Sequence, residues 1–163
     1  MKPNLLCTRR ELIIGAAQVA TMFTVSRVTW AAEMLPRMVV TRDPTCSCCG
    51  GWVTHLRRSG FTVEVVDLAD LAPLKVRLGV PNALAACHTG QIGGYVIEGH
   101  VPAGAIKKLL AEHPKATGLA VPGMPLGSPG MEAPGKAPET YEVVLFGQAG
   151  NRTFAYYRGA QEL

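Results

Sequence analysis

At 163 residues the chain has room for one domain and an extension, not two domains. Its 16 Lys and Arg outnumber 12 Asp and Glu, for a net charge of +4, but four of the bases and one of the acids fall in the first 32 residues. The remainder, with 12 bases and 11 acids, has no basic stripe and no aromatic-basic interleaving, so nucleic acid is excluded as an expected partner.

In chain order, Thr8-Arg9-Arg10-Glu11-Leu12-Ile13 places a twin-arginine pair ahead of an apolar run. That run extends from Leu12 to Val25, is broken by Gln18, Thr21 and Thr24, and is followed by small residues at Ala31 and Ala32. It is too short and too polar for a stable membrane span, which needs roughly 20 apolar residues. Residues 1–32 are therefore expected to be a removable twin-arginine export signal, leaving a single periplasmic domain at 33–163. Such signals serve the export of folded proteins, so a metal could be inserted beforehand. Cys7 leaves with the signal, whereas Cys46, Cys48, Cys49 and Cys87 stay.

Met38-Val39-Val40-Thr41 is a β-branched run, expected to be a strand. From Cys49 the spacing turns helical: Cys49, Val53 and Leu56 share a face, Arg57 and Arg58 close the last turn, and Gly60 stops it. Phe61 to Val66 alternates as a second strand, and Leu71 to Leu78 reads as a short helix ended by Gly79 and Pro81. This strand-helix-strand order predicts a parallel βαβ unit. Ala86-Cys87-His88-Thr89 and Tyr95-Val96-Ile97-Glu98 flank Gly90 to Gly94 as a hairpin, and Pro102 opens a helix carrying Ile106, Leu109 and Leu110. The order β-α-β-α-β-β-α, with cysteines at the mouth of the first helix, is the thioredoxin-like arrangement. The expected fold class is α/β, a thioredoxin-like mixed sheet with flanking helices. Residues 118–140, rich in Gly, Pro and Met, are expected to be one long loop without helix or strand. Tyr141 to Phe146 and Thr153 to Tyr157 then close the chain as a C-terminal β-hairpin.

Chemistry concentrates in Asp43-Pro44-Thr45-Cys46-Ser47-Cys48-Cys49-Gly50-Gly51-Trp52, where three cysteines fall within four residues. Cys46 and Cys49 have the C-x-x-C spacing used by redox folds and by metals, and Cys48 is a surplus thiol. A helix N-terminus lowers the pKa of nearby thiols and favours the thiolate, which both attacks disulfides and binds metals. In thioredoxin-like folds the turn before the third strand lies against the cysteine loop, so a Cys87 that begins this strand is expected to join the other three at one end of the sheet, with His88 and His100 on the two neighbouring strands. Four thiolates could hold one tetrahedral Zn²⁺, but zinc sites usually draw on two separated pairs. Crowded thiolates can bridge ions, which suits Cu(I), and Met124 and Met131 add soft thioethers.

Plainer roles compete at each position. Cys46 and Cys49 could form a structural or redox disulfide, and Cys87 could be a buried small hydrophobe. His55, two turns along the helix, reads as a surface residue, and His113 as helix-terminal. His88 is divided between strand surface and ligand, and His100 between turn stabiliser and ligand. Met124 and Met131 could pin the loop, and Trp52 reads as a packing residue.

Several segments in order resemble the small periplasmic CopG-like copper-resistance proteins, long classed as a domain of unknown function. They are Cys46-Ser47-Cys48-Cys49, Trp52-Val53-Thr54-His55-Leu56, Ala86-Cys87-His88-Thr89, Gly94 to Pro102, and Gly118 to Glu132. The resemblance spans about Met38 to Tyr157. It implies a thioredoxin-like fold that binds copper for resistance or homeostasis. Carried over, Cys46, Cys48, Cys49 and Cys87 become ligands, with His88 and His100 behind them. The family often has Gly where this chain has Ser47, a change that enlarges the turn and removes no ligand. The expected function is Cu(I) binding, multinuclear if thiolates bridge, with copper redox activity as an extension and periplasmic copper-handling proteins as partners. The alternative is a thiol–disulfide oxidoreductase using Cys46 and Cys49.

Overall fold

The computed structural model describes residues 35–163, so the export signal expected over 1–32 lies outside the described residues. The β-branched run becomes β1 (Met38–Arg42), an inner strand whose Met38 and Val40 are fully buried. Helix α1 (Ser47–Arg58) follows and buries Cys49, Trp52, Val53 and Leu56, the face that its apolar spacing marks out. Strand β2 (Val63–Asp67) then pairs parallel to β1, with Met38 opposite Val63. After α2 (Ala72–Arg77) and a 3-10 turn at Asn82–Leu84 come β3 (His88–Ile92) and β4 (Tyr95–Glu98), an antiparallel pair, and then α3 (Ala103–Glu112).

Two departures from the expected elements have local causes. Gly90, Gln91 and Ile92 belong to β3, and the turn is only Gly93-Gly94. Gly90 is a packing position: a Cβ there would lie 3.4 Å from both the Trp52 ring and the Ile97 Cβ. The long loop also begins later than expected, because Gly118–Ala120 forms β5, parallel to β4 and antiparallel to β6 (Thr140–Phe146). A Cβ on Gly118 would stand 1.8 Å from the Val96 carbonyl oxygen, so glycine alone lets these strands meet. The first proline of the loop, Pro122, comes after this strand, and residues 121–139 contain neither helix nor strand. Strand β7 (Arg152–Arg158) completes the C-terminal hairpin with β6, and β8 (Gln161–Glu162) adds two residues at the edge.

The eight strands form one open mixed sheet in the order β2-β1-β3-β4-β5-β6-β7-β8, antiparallel except for the β1–β2 and β4–β5 pairs. Alternate strand residues face opposite layers. Ile97, Leu119, Val143 and Leu145 pack with Trp52 and Leu56 of α1 and with Ile106 and Leu109 of α3. Val96, Ala120, Val144 and Phe146 face the other way, against Val80 and Leu84. Each fully buried aliphatic side chain, such as Ile106 or Leu109, contributes about 1.5–3 kcal/mol by leaving water. Among the described residues no helix is long and apolar enough to cross a membrane.

Candidate metal centre

The cysteine loop starts from a tight turn. The Asp43 carbonyl accepts the Cys46 N–H at 3.1 Å, and the Asp43 carboxylate accepts the Thr45 hydroxyl at 2.6 Å and its N–H at 2.7 Å. The hydroxyl bond, followed by the N–H bond, holds this carboxyl below its usual range. Cys46 is the residue before α1, while Cys48 and Cys49 lie in its first turn, which carries no acidic side chain. Cys49 is fully buried, with Cys46 and Cys48 half-buried. Cys46 and Cys49 are joined as a disulfide, while Cys48 and Cys87 are free thiols.

Sheet register brings in the fourth cysteine. Arg42 at the end of β1 pairs with His88 at the start of β3, so the residues just beyond them, Asp43 and Cys87, are neighbours. The Cys87 carbonyl accepts the Asp43 N–H at 3.4 Å. Cys87 therefore precedes the strand that it was expected to begin, and it still reaches the loop. Its Sγ lies 3.1 Å from Cys46, 3.3 Å from Cys49 and 3.9 Å from Cys48, and Cys46 and Cys48 are 3.4 Å apart. Burial and the neighbouring Cys48 push the Cys87 thiol up to about 11, so it is protonated at neutral pH without metal.

Two imidazoles line the inner side. His88 is fully buried, its ring 4.4 Å from that of Trp52, whose indole N–H donates to the Val101 carbonyl at 2.8 Å. His88 Nε2–H donates to the Gly99 carbonyl at 2.9 Å, which assigns the proton to Nε2 and leaves a lone pair on Nδ1. That Nδ1 is 3.2 Å from Cys49 Sγ and 3.5 Å from Cys87 Sγ. Burial, reinforced by His100, lowers the His88 pKa to about 3, so the ring is neutral. His100 lies just beyond β4, in the turn leading to α3, with its ring 5.0 Å from that of His88 at 84°. His100 Nδ1–H donates to the Pro129 carbonyl at 2.8 Å, and its buried Nε2 has no hydrogen-bond partner among the described residues. Burial lowers the His100 pKa as well.

The ligand atoms of Cys46, Cys48, Cys49 and Cys87 all lie within 4.8 Å of one another, and so do those of Cys87, His88 and His100. Cys87 links the two groups. The result is a cluster of soft sulfur and imidazole donors capable of holding a metal ion. The long loop closes over it: Gly130 abuts the N-terminal part of α1, where a Cβ on Gly51 would lie 2.9 Å from the Gly130 Cα. Met131 is half-buried beside this contact, whereas Met124 is 56% exposed.

Other expected roles resolve differently. His55 is half-buried, not a surface residue, and its Nε2 accepts the Ala103 N–H at 3.1 Å, satisfying the first turn of α3. Helical periodicity hides this role, because the partner lies 48 residues away. His113 does end α3, in a left-handed conformation. Also unanticipated is the buried Glu98–Lys75 ion pair behind Cys87. An acid closing the apolar strand Tyr95-Val96-Ile97 was its one visible sign.

The family described as a protein of unknown function, DUF411, matches residues 84–131, the stretch that carries Cys87, His88, His100 and the start of the long loop. Two solved structures are similar over nearly their whole length. Copper resistance protein CopG, form 1, is 44% identical and has a TM-score of 0.71, covering 77% of this chain and 99% of that chain. Form 2 is 44% identical with a TM-score of 0.70, covering 76% and 98%. No curated protein gives a significant match. With a thioredoxin-like sheet, a C-x-C-C loop and near-complete coverage of these relatives, the chain belongs to the CopG-like copper-resistance family.

Proposed function

We propose that this protein binds Cu(I) through Cys46, Cys48, Cys49 and Cys87, with His88 Nδ1 and His100 Nε2 as further ligands, in the service of copper resistance. One observation carries the reading. Both imidazoles donate their outer N–H to a backbone carbonyl, and His88 turns its bare nitrogen to the sulfurs while His100 keeps its own buried and unpaired. Metal-ligating histidines are oriented in this way. Thiolates this close can bridge ions, which favours several Cu(I) over one Zn²⁺. The twin-arginine segment supports export, with 33–163 as the mature periplasmic domain and periplasmic copper-handling proteins as its partners. Met124 and Met131 belong to the loop at the mouth of the site and are candidates for passing ligands.

The test is anaerobic titration of the reduced mature domain with Cu(I), which should load more than one copper per chain and protect the thiols from alkylation. A reduced domain that ignores micromolar Cu(I) would sink the proposal. Copper redox activity at the same sulfurs belongs to this reading and would register as a reversible change in the copper–sulfur absorption bands.

The Cys46–Cys49 disulfide at the mouth of α1 favours a second reading, thiol–disulfide exchange. In that reaction the Cys46 thiolate attacks a substrate disulfide and releases one substrate thiolate. Cys49 then displaces the other, leaving the Cys46–Cys49 disulfide and a reduced substrate. Trapping of a mixed disulfide by Cys49→Ser would support it. Cys87, already in contact with Cys46, would tend to resolve such an intermediate.

A further inference from the structure

Behind the cysteine cluster lies a buried polar network to which neither reading assigns a role. Glu98, at the end of β4, is fully buried and pairs with Lys75 of α2. Its Oε1 accepts the Lys75 ammonium and also the Ala86 N–H, the latter at 2.6 Å. Its Oε2 accepts the Thr89 hydroxyl at 2.7 Å, and that hydroxyl accepts a second Lys75 N–H at 2.7 Å. Ala86 directly precedes Cys87, and Thr89 directly follows His88. One carboxylate thus brackets the Cys87-His88 pair from both sides. The next residue, Gly99, completes the mould: its carbonyl accepts His88 Nε2–H at 2.9 Å, and its N–H donates to the His88 carbonyl at 3.5 Å.

A buried ion pair adds little stability over apolar residues of similar volume, because the desolvation of both charges offsets their attraction. Fold stability alone therefore gives this network no clear purpose. Its directional bonds do: they end on the two residues that flank a cysteine and a histidine of the cluster. We propose that Glu98, held by Lys75 and Thr89, positions Cys87 and His88, so that Cys87 Sγ meets the three-sulfur loop and His88 Nδ1 faces it. The inference builds on the reading of the cluster as a copper site. In metal centres, residues that orient ligands in this manner set affinity, and their loss weakens binding about 10–100-fold.

The paired variant Lys75→Met/Glu98→Leu removes both charges, keeps the volumes similar and leaves the Ala86 N–H without its acceptor. In the reduced mature domain, Cu(I) affinity measured against a chromophoric chelator should fall by about 10–100-fold. In the metal-free reduced protein, held well below its melting temperature, alkylation of Cys87 expressed per thiolate should quicken several-fold while that of Cys48 is unchanged. The melting temperature itself should fall, because the Ala86 N–H and the buried Thr89 hydroxyl both lose their acceptor. Thr89→Val should move both readouts the same way and Thr89→Ser should restore them. This pair decides the matter if the double variant does not fold. A folded double variant with wild-type Cu(I) affinity and a wild-type Cys87 alkylation rate would overturn the proposal. Should the wild-type domain itself take no Cu(I), the copper reading falls, and the alkylation comparison still decides whether the network positions Cys87.

Discussion

Gly130 is where the long loop comes closest to the cysteine helix, and it offers a quantitative test of how that loop closes the site. A Cβ there would stand 2.5 Å from the Trp52 backbone nitrogen and 3.0 Å from both the Cys48 carbonyl oxygen and the Gly51 carbonyl carbon. These atoms belong to the backbone of α1, anchored by the fully buried Trp52, so in Gly130→Ala the loop must yield. Ordinary contact at 3.4 Å requires an opening of about 0.9 Å. Gly130 also has φ +87°, a left-handed conformation that costs an L-residue about 1–2 kcal/mol. Gly135, in the same loop, separates the two effects: it has φ +73° and nothing within 4 Å of its missing Cβ. Gly135→Ala should show the conformational cost alone, whereas Gly130→Ala adds about 1–3 kcal/mol of overpacking. At roughly 4 °C per kcal/mol for a domain of this size, the Tm values should differ by about 4–12 °C. Pro129, which holds His100 in place, is adjacent to Gly130, so Gly130→Ala should also weaken Cu(I) binding and Gly135→Ala should not. Equal Tm losses in the two variants would refute a loop seated on α1.

Three further outcomes are expected. His55→Ala should lower stability by about 1 kcal/mol, because the Ala103 N–H loses its acceptor, and His55→Gln should recover part of that in a urea titration. Cys48→Ser should leave the Cys46–Cys49 disulfide intact by thiol counting and lower the Cu(I) content of the reduced domain, since only the third sulfur is lost. The metal-free domain with its Cys46–Cys49 disulfide intact should be most stable between the ordinary pKa of histidine, 6.5, and that of cysteine, 9.0. On the acid side, folded His88 titrates at about 3 instead of 6.5, so the unfolded chain takes up a proton first as the pH falls. Stability present above 6.5 then declines by about 1.4 kcal/mol per pH unit toward 3, and the lowered His55 and His100 act in the same direction. On the basic side, the raised Cys87 thiol holds its proton in the folded state. Stability is therefore lost as the pH rises from 9.0 through about 11. A urea midpoint that stays constant between pH 6.5 and pH 3 would contradict the acid branch.

What could be read from residue order was whatever periodicity and punctuation encode. The α1 face of Cys49, Val53 and Leu56 and the stop at Gly60 were legible because one helix contains all of their causes. The convergence of Cys87 on the loop was legible only through the thioredoxin-like order of elements, in which the turn before the third strand lies against the cysteine loop. The register that brings it about, β1 beside β3 with Asp43 next to Cys87, is visible in the structure alone. Strand β5 was not, because its three residues owe their conformation to partners on both sides and begin with a glycine that looks like loop. Gly90 is ambiguous for a related reason: it makes room for Trp52, from a helix far away in sequence, while in residue order alone it has the look of a turn residue. His55, Lys75 and Glu98 share this blindness, as their partners lie on other elements. The tautomers of His88 and His100 were beyond sequence altogether, because they depend on which backbone carbonyl each ring meets.

Those tautomers distinguish the two readings of the cluster better than the sulfurs do. Four sulfurs at these separations suit disulfide exchange as readily as metal binding, and Cys46 and Cys49 in fact share a disulfide. Disulfide exchange has no use for a second imidazole. His100 Nε2 is nevertheless buried without a hydrogen-bond partner among the described residues, an arrangement that costs about 1–3 kcal/mol when nothing compensates it. Protonating it for a partner is opposed by burial, which already lowers its pKa. An electron-pair acceptor between His88, His100 and Cys87 would offset that cost, and the three ligand atoms lie within 4.8 Å of one another. On the proposed ligand set, a metal and the Cys46–Cys49 disulfide would compete for the same two sulfurs, and metal loading would then be linked to reduction. The oxidised site therefore leaves Cys48, Cys87 and the two imidazoles as its available donors, and reduction adds the two thiolates that allow sulfur to bridge more than one ion.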